Sequence, residues 1–205
     1  ISAIASIYGA DEIVMRPPET ATDTATDMEW MNHFLEYWHK TNNYYPENIV
    51  ILRPTSPLRE EHLIDKAIYS FEETKTGLRS VSEVPEAVEK CFKIERDTLV
   101  PAIPYYEGLK MIYGTNDITN LPNQRFSKSY TGNGIVDIVK SSTVINDNSL
   151  YGNKIQSFIT NRNVDIDTLE DWEYAEYLIN TKGHWINELL RRKDYSFLSS
   201  RTNEL

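Results

Sequence analysis

Apolar positions along the chain fall into two periods. Met31, Phe34, Leu35 and Trp38 recur at helical spacing behind Thr26-Asp27-Met28-Glu29, which has the form of a capping box. A helix is therefore predicted from there to about Lys40. A second helical face is Leu63, Ile64, Ala67, Ile68 and Phe71. A third is Leu169, Trp172, Ala175, Leu178 and Ile179, capped by Thr168 and broken by Gly183. The first residues, Ile1 to Ala10, read as the middle of a helix ended by Gly9, as though the chain opened inside a domain. Between these lie short continuous apolar runs. Asn48 to Leu52 predicts a strand buried on both faces of a parallel sheet. Arg79 to Val84, Gly134 to Val139 and Ile155 to Ile159 predict further strands, and Glu12 to Val14 a short one. The order strand, loop, helix, strand implies an α/β fold with a doubly wound, mostly parallel sheet.

After Val84 the pattern changes. Lys90 to Glu95 and Thr98 to Ile103 predict a hairpin turning at Arg96-Asp97. Pro104 to Gln124 is polar and irregular, with Tyr105, Tyr106 and Tyr113 in it, and reads either as an interface arm or as a surface loop. The expected organisation is an α/β domain over 1–183 with an excursion at about 90–130. A helix and polar tail over 184–205 follow.

Composition narrows the chemistry. A net charge of −10 argues against a nucleic acid polymer as partner. A small anion remains possible if a metal ion and a few basic groups neutralise it locally. No apolar run reaches the roughly 18 residues of a membrane span. One cysteine, Cys91, excludes an internal disulfide and fits a reducing, cytoplasmic setting. Beside Phe92 it reads as a buried core thiol. His33, His39, His62 and His184 are scattered over predicted helices and form no ligand cluster.

Two short segments carry candidate chemistry. Val164-Asp165-Ile166-Asp167-Thr168 follows an apolar run and precedes a helix. On an extended strand, residues two apart point the same way. Asp165 and Asp167 would then present two carboxylates together, a donor set suited to Mg²⁺ alongside substrate phosphates. A solvated strand end with a cap residue is the other reading. The second segment, Arg53-Pro54-Thr55-Ser56-Pro57-Leu58-Arg59, follows the Asn48 to Leu52 strand, at the end where open α/β sheets bind ligands. Its prolines stiffen the loop, its hydroxyls donate and accept, and its arginines suit phosphate or carboxylate. A stiff connection with solvated arginines is the alternative.

Pro54-Thr55-Ser56-Pro57-Leu58-Arg59 resembles the signature of the acylneuraminate cytidylyltransferases, and Val164 to Thr168 with Glu170-Asp171 resembles that family's metal motif. Arg16-Pro17 to Asp23-Thr24, Ser80 to Val84, and Asn133-Gly134 after Tyr130 fit the same order over about residues 1–180. The related Kdo-activating enzymes carry an acidic Asp-Glu-Pro segment in place of Pro-Thr-Ser-Pro, so the acylneuraminate branch is favoured. The resemblance implies a fold of the nucleotide-diphospho-sugar transferase type. It also implies transfer of CMP from CTP to an acidic nine-carbon α-keto acid sugar, neuraminic, legionaminic or pseudaminic in type, with Mg²⁺ as cofactor and pyrophosphate released.

By that resemblance Asp165 and Asp167 hold the metal, and one of them, or a metal-bound water, acts as base. Thr55 and Ser56 line the nucleotide and sugar pocket. Arg53 stands where many relatives carry Gln against the sugar. Arg59, Lys93 and Asn133 complete the substrate set; a surface ion pair, a solvated lysine and a left-handed turn residue are the respective alternatives. A homodimer is implied as well. The family's basic, glycine-containing triphosphate loop is not found in this sequence, so a non-catalytic binding or dimerising relative stands as a second expectation. A nucleotidyltransferase using another nucleotide is a third.

Overall fold

The computed structural model describes residues 1–104 and 106–185. Tyr105 and the expected segment beyond Trp185 lie outside the described residues. The chain divides into two compact units, one of residues 1–79, 134–158 and 163–205 and one of residues 80–133 and 159–162.

The first unit begins with α1 (Ser2–Ile7), which ends before Gly9 at φ +91°. Glu12 to Val14 is not a strand. Glu12 accepts from the Tyr37 hydroxyl and the Met15 carbonyl meets His33 Nε2 at 3.1 Å, so side chains of the next helix hold this segment. That helix, α2 (Asp27–Asn42), starts as its sequence requires: Thr26 and Glu29 form the reciprocal capping box. Its buried stripe is Met31 and Leu35.

Strand β1 (Asn48–Ile51) pairs antiparallel with β5 (Tyr130–Lys140). The four-stranded sheet has the order β1-β5-β2-β6, with β2 spanning Gly77–Glu83 and β6 spanning Ile155–Ile159. β2 and β6 share a direction, since Thr76 N–H bonds the Lys154 carbonyl and Thr160 N–H the Val81 carbonyl. The sheet is therefore mixed. The expectation of a doubly buried parallel strand at Asn48 to Leu52 is corrected: among the described residues β1 is an edge strand, antiparallel to its neighbour β5, and within it only Ile51 is buried. A run of four apolar residues cannot distinguish an edge strand from a central one.

Helices pack on both faces. On one, Met31 and Leu35 of α2 meet Ile51, Val139, Leu150 and Val144, the last from α5 (Ser141–Asp147). On the other, Leu63 and Ala67 of α3 (Leu63–Ser70) meet Leu78, Ile135, Val136 and Ile138. Val139 and Ile138 face opposite cores because strand side chains alternate. This establishes an α/β architecture.

In the second unit, β3 (Phe92–Glu95) and β4 (Thr98–Pro101) form the predicted hairpin. Arg96 and Asp97 both have positive φ, +47° and +66°, as a two-residue type I′ turn demands. Pro104 to Gln124 is not irregular throughout. It contains α4 (Tyr106–Tyr113), and Leu109 and Ile118 join Ala87, Ile103 and Phe126 in a separate small core. Cys91 is exposed, correcting the expectation of a buried thiol.

Met31 is fully buried at the centre of the first core. Met31→Ala is expected to lower stability by about 3 kcal/mol through lost burial and a residual cavity. Urea unfolding followed by circular dichroism checks this.

Candidate functional site

The two motif segments meet. The Ile166 N–H donates to the Thr55 carbonyl at 2.8 Å, and the Ser56 hydroxyl donates to Asp165 Oδ1 at 3.3 Å. β1 and β6 are opposite edges of the sheet, yet the segment after β6 returns to the loop after β1. This juxtaposition needs more than 100 residues of intervening chain, so neither segment specifies it alone.

The loop at Arg53 to Arg59 is built to hold its shape. Ser56 N–H bonds the Arg53 carbonyl at 3.2 Å, and Arg59 Nη2 donates to the same carbonyl at 2.7 Å. Arg59 Nε donates to the Ile135 carbonyl of β5 at 2.6 Å, and the Trp185 indole N–H donates to the Arg59 carbonyl. Burial pushes the Arg59 guanidinium below its ordinary pKa. Arg59 thus fastens the loop to the sheet. Ser56 is fully buried, its hydroxyl facing Asp165, while Thr55 is half-buried.

Gly134, at φ +66°, lets this loop sit close. A Cβ there would lie 3.0 Å from Arg53 Cδ and 3.1 Å from Ser56 Oγ. No L side chain fits that backbone conformation and that spacing without strain.

Asp165 and Asp167 are both exposed, on a non-strand segment that runs from Thr160 to Thr168. The expectation that they alternate on a strand end is corrected, because β6 stops at Ile159. They stand just ahead of α6 (Leu169–Lys182), where a helix N-terminus favours negative charge. The predicted cap at Thr168 is present. Asp171 accepts from Thr168 N, Thr168 Oγ1 and Asp167 N at 2.9, 2.7 and 3.2 Å. These bonds hold the Asp171 carboxyl below the usual carboxylate range. Asp171 is thereby committed to the cap, while Asp165 and Asp167 stay exposed.

Among the described residues, no group of three His, Cys, Asp or Glu is arranged to hold a metal. Two accessible carboxylates fit Mg²⁺ nonetheless, since that ion commonly takes one or two and completes its shell with water and substrate phosphates.

Arg53 is engaged within the protein. Its guanidinium forms an ion pair with Asp27, the first residue of α2, and Asp27 also accepts from the Trp30 indole N–H at 2.9 Å. Burial alone would raise the Asp27 carboxyl. The bonds from Arg53 and Trp30, with the charges of Arg53 and Arg79, outweigh it and hold the group below its ordinary value. The bond to Asp27 likewise raises Arg53. Asp137 of β5 is 2% exposed and accepts from the Tyr151 hydroxyl at 2.7 Å, while Arg79 lies over the Tyr151 ring, 5.0 Å from its centroid. Burial and the Asp137 charge push the Tyr151 hydroxyl well above its usual pKa.

Asp27, Asp137 and Tyr151 were not singled out by the sequence reading. A lone acid inside the apolar run Ile135 to Val139 was the available signal. Asp27 was masked by its place in a cap motif.

Lys93 and Asn133 belong to the second unit. Lys93 pairs with Glu95 at 2.7 Å on the hairpin, and Asn133 Nδ2 donates to Thr160 Oγ1 at 2.7 Å. Asn133 is not a left-handed turn residue; of the Asn133-Gly134 pair it is Gly134 that takes positive φ.

Gly134→Ala is expected to cost about 1–3 kcal/mol of stability and to disturb the Ser56–Asp165 contact. Thermal unfolding with a chemical-shift map of residues 53–59 and 164–168 measures both effects.

No family model matches the chain. It is 24% identical over 182 residues to a CMP-N,N'-diacetyllegionaminic acid synthase of Legionella pneumophila, an alignment covering 87% of this chain and 73% of that protein. It is 26% identical over 204 residues to an N-acylneuraminate cytidylyltransferase of Escherichia coli, covering 98% of this chain but 44% of that protein, so the chain spans less than half of this second relative. The likeness to the cytidylyltransferases read from the Pro54 to Arg59 and Val164 to Thr168 segments thus extends over most of the chain.

Proposed function

We propose that this chain carries the catalytic fold of a cytidylyltransferase that moves CMP from CTP to an acidic nine-carbon α-keto acid sugar, of neuraminic, legionaminic or pseudaminic type. The observation that carries the reading is the contact of the two motif segments, Ile166 to Thr55 and Asp165 to Ser56. It sets a rigid hydroxyl-bearing loop against a pair of outward carboxylates. The named relatives support the same chemistry.

In this reading the sugar's anomeric hydroxyl attacks the α-phosphorus in line and pyrophosphate leaves, a reaction that depends on positioning and charge neutralisation. Bound Mg²⁺ would supply Lewis-acid stabilisation of the phosphates. Asp165 and Asp167 are the residues to hold it, and either can take the proton of the attacking hydroxyl. The Ser56 hydroxyl orients Asp165. Thr55, through its carbonyl, ties the second segment to the loop, and its half-buried side chain is assigned to the substrate pocket. Arg59 keeps the loop in place, and Arg53, one third exposed on the same loop, is the cation assigned to the sugar carboxylate. Lys93 and Asn133 enter the substrate set on the sequence resemblance, and the sheet is read as one of the nucleotide-diphospho-sugar transferase type.

We assign the hairpin to a homodimer interface. Phe92, Ile94, Leu99 and Pro101 share one face in the strand register, and the first three are exposed. A lone two-stranded hairpin is marginal in water unless its apolar face is covered. Nothing in its charge favours a polyanion, and a cytoplasmic setting suits CTP as substrate.

Asp165→Ala and Asp167→Ala are expected to reduce CMP transfer at least about 100-fold in the intact protein, with circular dichroism unchanged. Equal turnover would reject the assignment.

The nucleotide is open to direct assay. With Mg²⁺ present, CTP should raise the unfolding temperature more than ATP, GTP or UTP. A larger shift with another nucleotide would point to a different sugar nucleotidyltransferase.

A further inference from the structure

The ion pair between Arg53 and Asp27 is built for exchange. Each side chain keeps about a third of its surface exposed, so both are reachable from solvent. The backbone of Arg53 is fixed by Ser56 N–H and Arg59 Nη2 on its carbonyl, so a change of partner asks only its side chain to move. Asp27 does not depend on Arg53 alone. It accepts from Trp30 Nε1, stands in the positive first turn of α2, and feels the charge of Arg79. On the other side, the Asp137 carboxylate acts on Arg53, so the guanidinium, a cation at any ordinary pH, keeps a negative neighbour when Asp27 lets go. An arginine fork matches a carboxylate in two-point geometry.

We propose that Asp27 is the resident counter-ion of Arg53 and is displaced when the carboxylate of the acidic substrate takes the guanidinium, which makes Asp27 a determinant of specificity. This rests on the reading of the site as a pocket for an acidic sugar. Competition of this kind weakens every anion by the same exchange cost. A bare carboxylate is therefore held poorly, and the remaining contacts of a larger substrate must supply the difference. A neutral analogue gains nothing from Arg53 because it cannot replace Asp27.

The test is a nuclear magnetic resonance titration of the 205-residue chain at constant ionic strength with three probes: N-acetylneuraminate, its methyl ester and pyruvate. Asp27→Asn keeps an acceptor for Trp30 but removes the competing charge. It should tighten both acids about fivefold, the scale of a partly exposed ion pair, and leave the ester unchanged. Arg53→Gln should erase the difference between acid and ester. In the wild-type chain the Trp30 indole N–H resonance should move with the acids and not with the ester.

If Asp27→Asn weakens acid and ester alike, Asp27 is a strut and the exchange is overturned. Asp27→Ser, which also removes the charge, guards against a folding artefact and must show the same sign. An acid–ester difference that survives Arg53→Gln, or the absence of any binding by either acid, overturns it as well. Tightening of pyruvate without binding of the sugar would uphold the exchange and remove the nine-carbon sugar reading. CMP transfer in the intact enzyme with Asp27→Asn indifferent to charge would do the reverse.

Discussion

One backbone hydrogen bond, Ile166 N–H to the Thr55 carbonyl, ties the segment after β6 to the loop after β1. Among the described residues the strands that deliver these segments are the two edges of the sheet, and they do not pair with each other. The bond is available only because the loop is already shaped, by Arg59 on the Arg53 carbonyl and by the space that Gly134 leaves. Once it forms, Asp165 falls within reach of the buried Ser56 hydroxyl. Hydroxyl, carboxylate and stiff backbone then belong to one constellation.

Local chemistry at each end follows the sequence closely. Thr26 with Glu29 and Thr168 with Asp171 both cap as written, because the bonds involved span three residues and need no tertiary support. The Arg96-Asp97 turn was legible for the same reason. Where the reading failed, the deciding information was distant in the chain. Asn48 to Leu52 is apolar enough for a central strand, and only the pairing with β5 shows it to be an edge. The run Ile155 to Ile159 points to a strand that carries Asp165 and Asp167, but five residues of irregular chain separate Asp165 from its end. Pro104 to Gln124 hides its order because Leu109 and Ile118 pack against Ala87, Ile103 and Phe126 and not against each other alone.

The candidate site was legible as two motifs and illegible as a charge network. Arg53, Ser56 and Asp165 could be named from residue type and order. That Arg53 is held by Asp27, and that it feels the charge of Asp137, whose carboxylate accepts from Tyr151, depends on α2, β5 and the chain near residue 151 converging. Buried acids in apolar strands are the sequence trace of such networks, since a charge is seldom retained there without a partner.

This network bears on how an acidic protein takes an acidic ligand. With net charge −10, long-range attraction of an anion is weak, and capture must be local. An arginine already neutralised by Asp27 adds no long-range pull, yet it remains preorganised, because its backbone is pinned by bonds to its carbonyl. Selectivity then arises at contact, from what can replace a carboxylate one third exposed to water. The same economy governs the paired acids. Asp171 is committed to the helix cap while Asp165 and Asp167 stay exposed, and in the proposed function two carboxylates are few enough to leave room on a magnesium ion for phosphate oxygens. A third acid in the cluster would strengthen metal binding in the absence of substrate, at the expense of the coordination positions that the substrate must fill.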